Sequence, residues 1–193
     1  VKRIGNILSD GTRTYTWKHG RQLATTEMSG KTWTYTYNAE GMRTKRVSGN
    51  ASYTYYYNGD LLRYVDYDSN TTDSNQAAKL YFVLDANGNP IEVSYRPEGS
   101  TTTKFYYYVQ NLQGDVIALV DSANGNTVVT YTYDAWGNVL RTNGSLATTL
   151  GVLNPFRYRG YVYDSETALY FCQSRYYDPE MGRFINADAF AST

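Results

Sequence analysis

One cysteine, one histidine and four prolines are all that this 193-residue sequence holds of those three types. With Cys172 alone, no disulfide can form within the chain, so a disulfide-stapled scaffold is excluded. The lone thiol reads as a small buried hydrophobe. With His19 alone, a histidine-based triad and a multi-histidine metal centre are excluded from these residues. His19 itself, beside Gly20, reads as a turn residue. Charge of either sign is also missing as a surplus: lysine plus arginine number 18, and so do aspartate plus glutamate. Phosphate backbones are bound by clustered positive charge, so nucleic acid is not the expected partner. No apolar run approaches the roughly 18 residues of a membrane helix, so membrane insertion by this segment is not expected.

Aliphatic residues are scarce too, because aromatics make up 16% of the sequence within a hydrophobic total of 41%. Tyrosine alone occurs 22 times. Each ring buries a large apolar body and keeps a polar tip. With threonine and valine as neighbours, such residues favour strands. The rings are spaced regularly. Short aromatic strands containing Tyr15, Tyr35, Tyr55, Tyr81, Tyr106 and Tyr131 start 20, 20, 26, 25 and 25 residues apart, each followed by a Gly or Asn turn. That repeat is the length of one β-hairpin with its turns. In Trp33-Thr-Tyr35-Thr-Tyr37 the rings fall on one face of a strand and the threonines on the other. Tyr53-Thr-Tyr55-Tyr-Tyr57 and Val129-Thr-Tyr131-Thr-Tyr133 keep the same period. The stretch Thr72 to Leu80, where the spacing lengthens, reads as an inserted loop with room for one helical turn. The expected fold is all-β, built of antiparallel hairpins.

Between Thr142 and Leu150 the sequence becomes small and polar, a connector by composition. Beyond it, arginines and carboxylates interleave with the rings, and Pro155 and Pro179 interrupt strand pairing. The chain therefore divides into about six hairpin repeats, residues 1–148, and a distinct segment, residues 149–193.

Tyr131-Thr-Tyr133-Asp134-Ala-Trp-Gly137-Asn138 resembles the tyrosine–aspartate repeat of the Rhs family, which is shared with the C component of insecticidal toxin complexes and more distantly with teneurins. The run from Tyr158-Arg-Gly-Tyr161 through Asp164-Ser-Glu-Thr-Ala-Leu169-Tyr170 to Arg175-Tyr-Tyr-Asp-Pro179 and Gly182-Arg183-Phe184-Ile-Asn-Ala-Asp188 resembles the Rhs-associated core motif. The resemblance implies a sheet spiralling into a hollow YD-repeat shell that is closed by a core-associated segment. It implies a secreted or cell-surface bacterial protein whose shell encloses its own C-terminal toxin cargo, with an immunity protein as the cargo's further partner and no cofactor. In several relatives the core also carries an aspartyl autoprotease. Its arginine and one aspartate correspond here to Arg175 and Asp188, thirteen residues apart. The family's other catalytic aspartate and the scissile bond would follow Thr193, so this chain alone is not expected to be an enzyme. Two departures stand out. Ala168 occupies a position where the family usually has Gly, and Ala189 follows Asp188 where Pro is common.

For Arg175 and Asp188 two readings stand: a structural ion pair, or a share in an aspartyl site. Such a site needs two carboxylates close enough to share a proton. Asp178 and Asp164 are the nearby candidates for the second, although Asp178 before Pro179 also suits a turn. Asp85-Ala-Asn-Gly-Asn opens like a calcium loop, but Arg96 stands where the bidentate Glu is needed, so it reads as a turn. A different class of function also fits the composition: a tyrosine face that binds carbohydrate or mediates cell-surface adhesion. A wall segment of this kind would leave edges and one aromatic face to be covered. Self-association, or curling of the sheet on itself, is the expected remedy.

Overall fold

A computed structural model of the protein describes residues 5–69 and 77–188. Its main body is one antiparallel sheet whose twelve strands, among the described residues, lie side by side in sequence order. They are β1 (Arg13–Lys18), β2 (Gln22–Met28), β3 (Lys31–Tyr37), β4 (Arg43–Ser48), β5 (Ala51–Asn58) and β6 (Leu61–Asp68), followed by β7 (Ala78–Leu84), β8 (Pro90–Arg96), β9 (Lys104–Gln110), β10 (Val116–Asp121), β11 (Thr127–Tyr133) and β12 (Val139–Asn143). The odd-numbered strands are the six aromatic runs, and each pairs with the strand that follows it as a hairpin. Most of the stretch read as an inserted loop lies outside the described residues. Its last residues, Ala78 to Leu80, are instead the start of β7, since alanine, leucine and the rings beyond them alternate with period two.

At four of the Gly turns an Asp or Asn stands three residues before the glycine, with a mechanical consequence. In the turns at Asn38, Asp85, Asn111 and Asp134, the glycine N–H donates to the backbone carbonyl of the Asx residue three positions earlier. The side chain of Asp85 accepts the N–H groups of Asn87 and Asn89, and that of Asp134 accepts those of Trp136 and Asn138. The Asx side chain thus replaces two backbone acceptors, and the glycine supplies the left-handed residue that closes the loop. At Gly137 a side chain is excluded twice over: φ is +95°, and a Cβ would lie 2.6 Å from the ring of Tyr158. The calcium-like run at Asp85 is such a turn.

Every hairpin also carries a bulge on its second strand, at Ala24, Thr44, Arg63, Ile91, Ile117 and Leu140, where the register slips by one residue. A repeated bulge adds twist and bends the strand. It also moves residues three apart onto one face: Arg43 and Arg46 of β4 are both buried because Thr44 is the extra residue between them.

A second, four-stranded sheet covers the inner face. Its strands are β13 (Val162–Asp164), β14 (Leu169–Cys172), β15 (Arg175–Asp178) and β16 (Arg183–Phe184). A single helical turn, α1 (Leu150–Leu153), and a 3-10 turn at Tyr158–Gly160 lead into it. Tyr15, Trp33, Tyr35, Tyr53, Tyr55, Leu80, Val93, Tyr106, Leu119 and Tyr131 from the large sheet form one buried cluster with Phe156, Leu169, Phe171, Tyr176 and Ile185. Rings meet edge to face across this boundary, Tyr35 with Tyr176 at 5.8 Å and Phe82 with Phe156 at 5.0 Å between centroids. The inner face of the sheet is therefore covered by the chain's own C-terminal residues. Burial pushes the phenols of this face above their usual range, Tyr95 to about 12.

Candidate functional site

The two sheets meet along a seam of buried charge. Strand β4 contributes Arg43 and Arg46, and β1 contributes Arg13. The hairpin joining β13 to β14 supplies Asp164 and Glu166, and β15 supplies Asp178. Arg43 grips Asp164 through two parallel hydrogen bonds of 2.5 and 2.8 Å, with both side chains fully buried. Arg46 donates to Glu166 at 2.5 Å and lies 3.5 Å from Asp164. The Tyr53 hydroxyl donates to the other oxygen of Glu166 at 2.6 Å. Arg13 donates to Asp178 at 2.8 Å and to the carbonyl of Thr167 at 2.7 Å.

Rings complete the enclosure. The Arg46 guanidinium lies 3.6 Å from the centroid of Tyr53, and that of Arg43 lies 4.7 Å from Tyr55 and 4.9 Å from Phe171. Burial is the largest influence on Arg43 and opposes its charge, but the Asp164 carboxylate together with the neighbouring Tyr55 and Tyr176 hydroxyls outweighs it and holds the guanidinium protonated well above its ordinary range. Burial likewise pushes the Glu166 carboxyl upward, while Arg46 and the Tyr53 hydroxyl together bring it below the usual carboxylate range. Each carboxylate is paired, and each pair joins residues more than 110 positions apart. This closes the two ends of the sequence onto each other. Arginine suits the task, because its planar fork matches a carboxylate and stacks on aromatic faces.

Arg175 and Asp188 are brought together at one end of this seam, with an N–O distance of 3.1 Å and both side chains partly exposed. The Arg175 guanidinium also lies over Phe184, 3.7 Å from the ring centroid. Asp188 is carried there by a well-anchored strand end. The Ile185 N–H donates to Tyr176, the Asn186 side chain accepts the Tyr176 N–H at 2.8 Å, and the Ile7 N–H donates to Ile185. Asp164 and Asp178, the two carboxylates considered as companions for Asp188, are each fully buried and held by an arginine of the large sheet. Asp178 does double duty, since its other oxygen accepts the N–H of Glu180 as a turn residue.

Beside Arg175 lies a cleft of about 490 Å³ with Met42, Leu62, Leu84, Phe171 and Phe184 among its walls. Cys172 also lines it, but burial, opposed only by Arg175, pushes the thiol up to about 12, so it is no nucleophile at neutral pH. Ala168 sits at φ +55° in the turn that presents Glu166. That is the left-handed conformation in which glycine is at ease.

Comparison with known proteins matches this architecture. A family model described as Teneurin YD-shell covers residues 69–193, and one described as RHS Repeat covers residues 17–53. The chain belongs to the teneurin YD-shell family. Among curated relatives, the "tRNA3(Ser)-specific nuclease WapA" of Bacillus spizizenii is 39% identical over 188 residues, and the "tRNA(Glu)-specific nuclease WapA" of Bacillus subtilis subsp. natto is 37% identical over 190. Each alignment takes in 95% of this chain and 7% of the relative, so the chain spans a small part of those proteins. Among solved structures, the crystal structure of TcdB2-TccC3 without its hypervariable C-terminal region superposes with a TM-score of 0.74 at 20% identity, over 95% of this chain and 9% of that one. At that identity the likeness establishes the fold.

The arginines of the seam were not singled out in the sequence, although Arg43 follows a recognised Gly turn. Their signal was a charge recurring at core-facing positions of a strand, and the bulge at Thr44 hid that period.

Proposed function

We propose that the chain is the closing part of a toxin-type Rhs shell. Its hairpins form wall, and residues 149–193 form the inner closure that leads into a polypeptide cargo enclosed by the full-length protein. The observation that carries this reading is the seam: three buried arginines of the wall hold three carboxylates of the closure, so parting the two sheets would leave buried charges without partners. The two nuclease relatives carry a similar segment and differ in the tRNA specificity of their names. A shell common to interchangeable cargos fits that pattern. The partners of the whole protein are then the upstream shell, the cargo and an immunity protein that neutralises the cargo, and its place is outside the cell or on its surface.

The same reading gives Arg175 and Asp188 a share in an aspartyl self-cleavage site. A second carboxylate and the cleaved bond would come from elsewhere in the full-length protein. Asp188 as a carboxylate would take a proton from the attacking water, and Arg175 would keep it ionised beside the growing negative charge. The test is expression of the full-length protein followed by denaturing gel electrophoresis. Spontaneous release of a C-terminal fragment, abolished by Asp188→Asn and by Arg175→Ala, is the expected result. Cleavage that persists in both variants removes these residues from the chemistry. The alternative of a carbohydrate-binding face concerns the opposite, outward side of the wall and is compatible with a closed shell.

A further inference from the structure

The outward faces of β1 and β3 are dressed in threonine. Further along the wall they turn apolar: Tyr56, Tyr81, Phe105 and Tyr107 are each close to half exposed, and Val83, Ile91, Val109 and Ile117 are a third to a half exposed. At about 75–125 Å² for each such ring and about 25–50 Å² for each aliphatic chain, this face presents about 400–700 Å² of apolar surface. A patch of that size marks an interaction site. Each partner of a standard protein–protein interface contributes about 800 Å², somewhat over half of it apolar, which is about 450 Å². The face supplies that much.

The pattern within the patch fits a second copy of itself. Tyr56 and Tyr64 lie 4.9 Å apart at 24°, and Tyr64 and Tyr81 lie 4.1 Å apart at 9°. These separations match the strand spacing of about 4.8 Å, so the rings form a row that crosses the strands. The register continues that row from Tyr81 onto Ser94 of β8 and from Ser94 onto Phe105 of β9. At Ser94 the ring is missing, and Tyr81 and Phe105 stand two strand spacings apart, about 9.5 Å. A planar ring touching both walls takes up about 7 Å of that width, at carbon–carbon contacts of about 3.5 Å. One strand away from the slot stands a ring of that kind, Phe105 itself.

Consider a two-fold axis in the plane of the face, along the strands and midway between Ser94 and Phe105. It brings a second copy face to face and sets Phe105 of each copy over Ser94 of the other. Side chains of two aligned sheets interdigitate in this way. The row then runs unbroken from Tyr56, Tyr64 and Tyr81 of one copy, through both Phe105 rings, to Tyr81, Tyr64 and Tyr56 of the other. In the adjacent row, Glu92 lies between Val83 and Tyr107, and Val120 lies beyond Tyr107. The same axis sets Val83 opposite Val120 and Glu92 opposite Tyr107 of the second copy, where the carboxylate can accept the phenolic hydroxyl. Each contact occurs twice, as an isologous interface requires.

We propose that the outward face of β7 to β9 is a homodimer interface in which Phe105 of each copy fills the slot over Ser94 of the other. This goes beyond enclosure of a cargo and does not depend on self-cleavage. The partner it gives the outer wall is a second copy of the chain.

Sedimentation equilibrium of the 193-residue chain tests the proposal. A monomer–dimer equilibrium with a micromolar or tighter dissociation constant is expected. Phe105→Ala should raise that constant about thirtyfold, the loss of an aromatic anchor. Ser94→Tyr should leave the chain monomeric, because its own ring occupies the slot. An equimolar mixture of the two variants should associate more tightly than either alone, since the introduced ring of one takes the place of the phenyl ring that the other lacks. Circular dichroism should show both variants folded. A native chain that stays monomeric at every attainable concentration overturns the proposal. So does association that survives Ser94→Tyr, as pairing through sheet edges would, or a mixture that associates no more tightly than its components.

Discussion

Replacing Asp164 with asparagine tests the seam where it is most deeply buried. The side chain keeps its shape and one acceptor oxygen but loses its charge. Arg43, fully buried, then has no carboxylate facing its fork, and Arg46 retains only Glu166. A guanidinium cannot discharge itself by releasing a proton. The stacking rings around both arginines are unchanged, so their contribution cancels. What remains is the cost of leaving a buried charge unpaired, about 3–5 kcal/mol. The reverse change, Arg43→Met, leaves Asp164 with a charged partner, Arg46 at 3.5 Å. That change should cost less, about 1–3 kcal/mol. The double variant should lose about 2 kcal/mol less than the sum of the singles, because partners in one network are coupled. Urea unfolding followed by far-UV circular dichroism and by the fluorescence of Trp33, which lies 4.7 Å from Arg46, measures all three. An Asp164→Asn cost below about 1 kcal/mol, or simple additivity, would refute the idea that this pair fastens the closure.

Other consequences follow from particular residues. Ala168→Gly should stabilise the protein by about 1 kcal/mol, because it relieves a left-handed alanine at φ +55°; a thermal melt reads the sign directly. Gly137→Ala should cost clearly more than Gly30→Ala, since a Cβ at Gly137 meets the Tyr158 ring whereas the space around Gly30 is open; equal losses in urea titrations would contradict the packing at this turn. Glu166, whose folded carboxyl is held below its usual range, contributes stability that is complete above about pH 4.5 and is lost as the pH falls through the lowered value; Glu166→Gln should flatten that acid limb. At the alkaline end the sign reverses. Phenols raised by burial stay protonated in the fold but ionise above about pH 10 when unfolded, so stability should fall from there upward. Absorbance at the tyrosinate band should rise in a cooperative step, and a smooth rise with all tyrosines titrating independently near their ordinary value would count against the buried rings.

The wall was legible because its rules are local. Ring–threonine alternation predicts which face of β3 is buried, and the Gly or Asn after each aromatic run predicts the turns, since both depend on neighbours within five residues. The core-associated motif was legible through its resemblance to a family, and it drew attention to Arg175, Asp188 and the odd Ala168, which does adopt the left-handed geometry that a glycine would take. What escaped was long-range or aperiodic. The partner of Arg43 lies 121 residues away, so no local pattern announces the pair. The bulge that turns Arg43 and Arg46 to one side breaks the period on which a strand reading relies. The start of β7 reads as loop in the sequence because the repeat lengthens there and Ala78 favours helix over strand. The outward stack of rings is a matter of register, visible only once Tyr56, Tyr64 and Tyr81 lie opposite one another.

The central claim is that residues 149–193 close the shell over a cargo and that the arginine seam holds the closure shut. Limited proteolysis of the full-length protein, with the C-terminal cargo followed by mass spectrometry, tests it most directly. The account predicts a cargo that resists digestion in the native protein and is degraded when Asp164→Asn opens the seam under conditions where the wall stays folded. A cargo digested as quickly in the native protein as in the variant would contradict it.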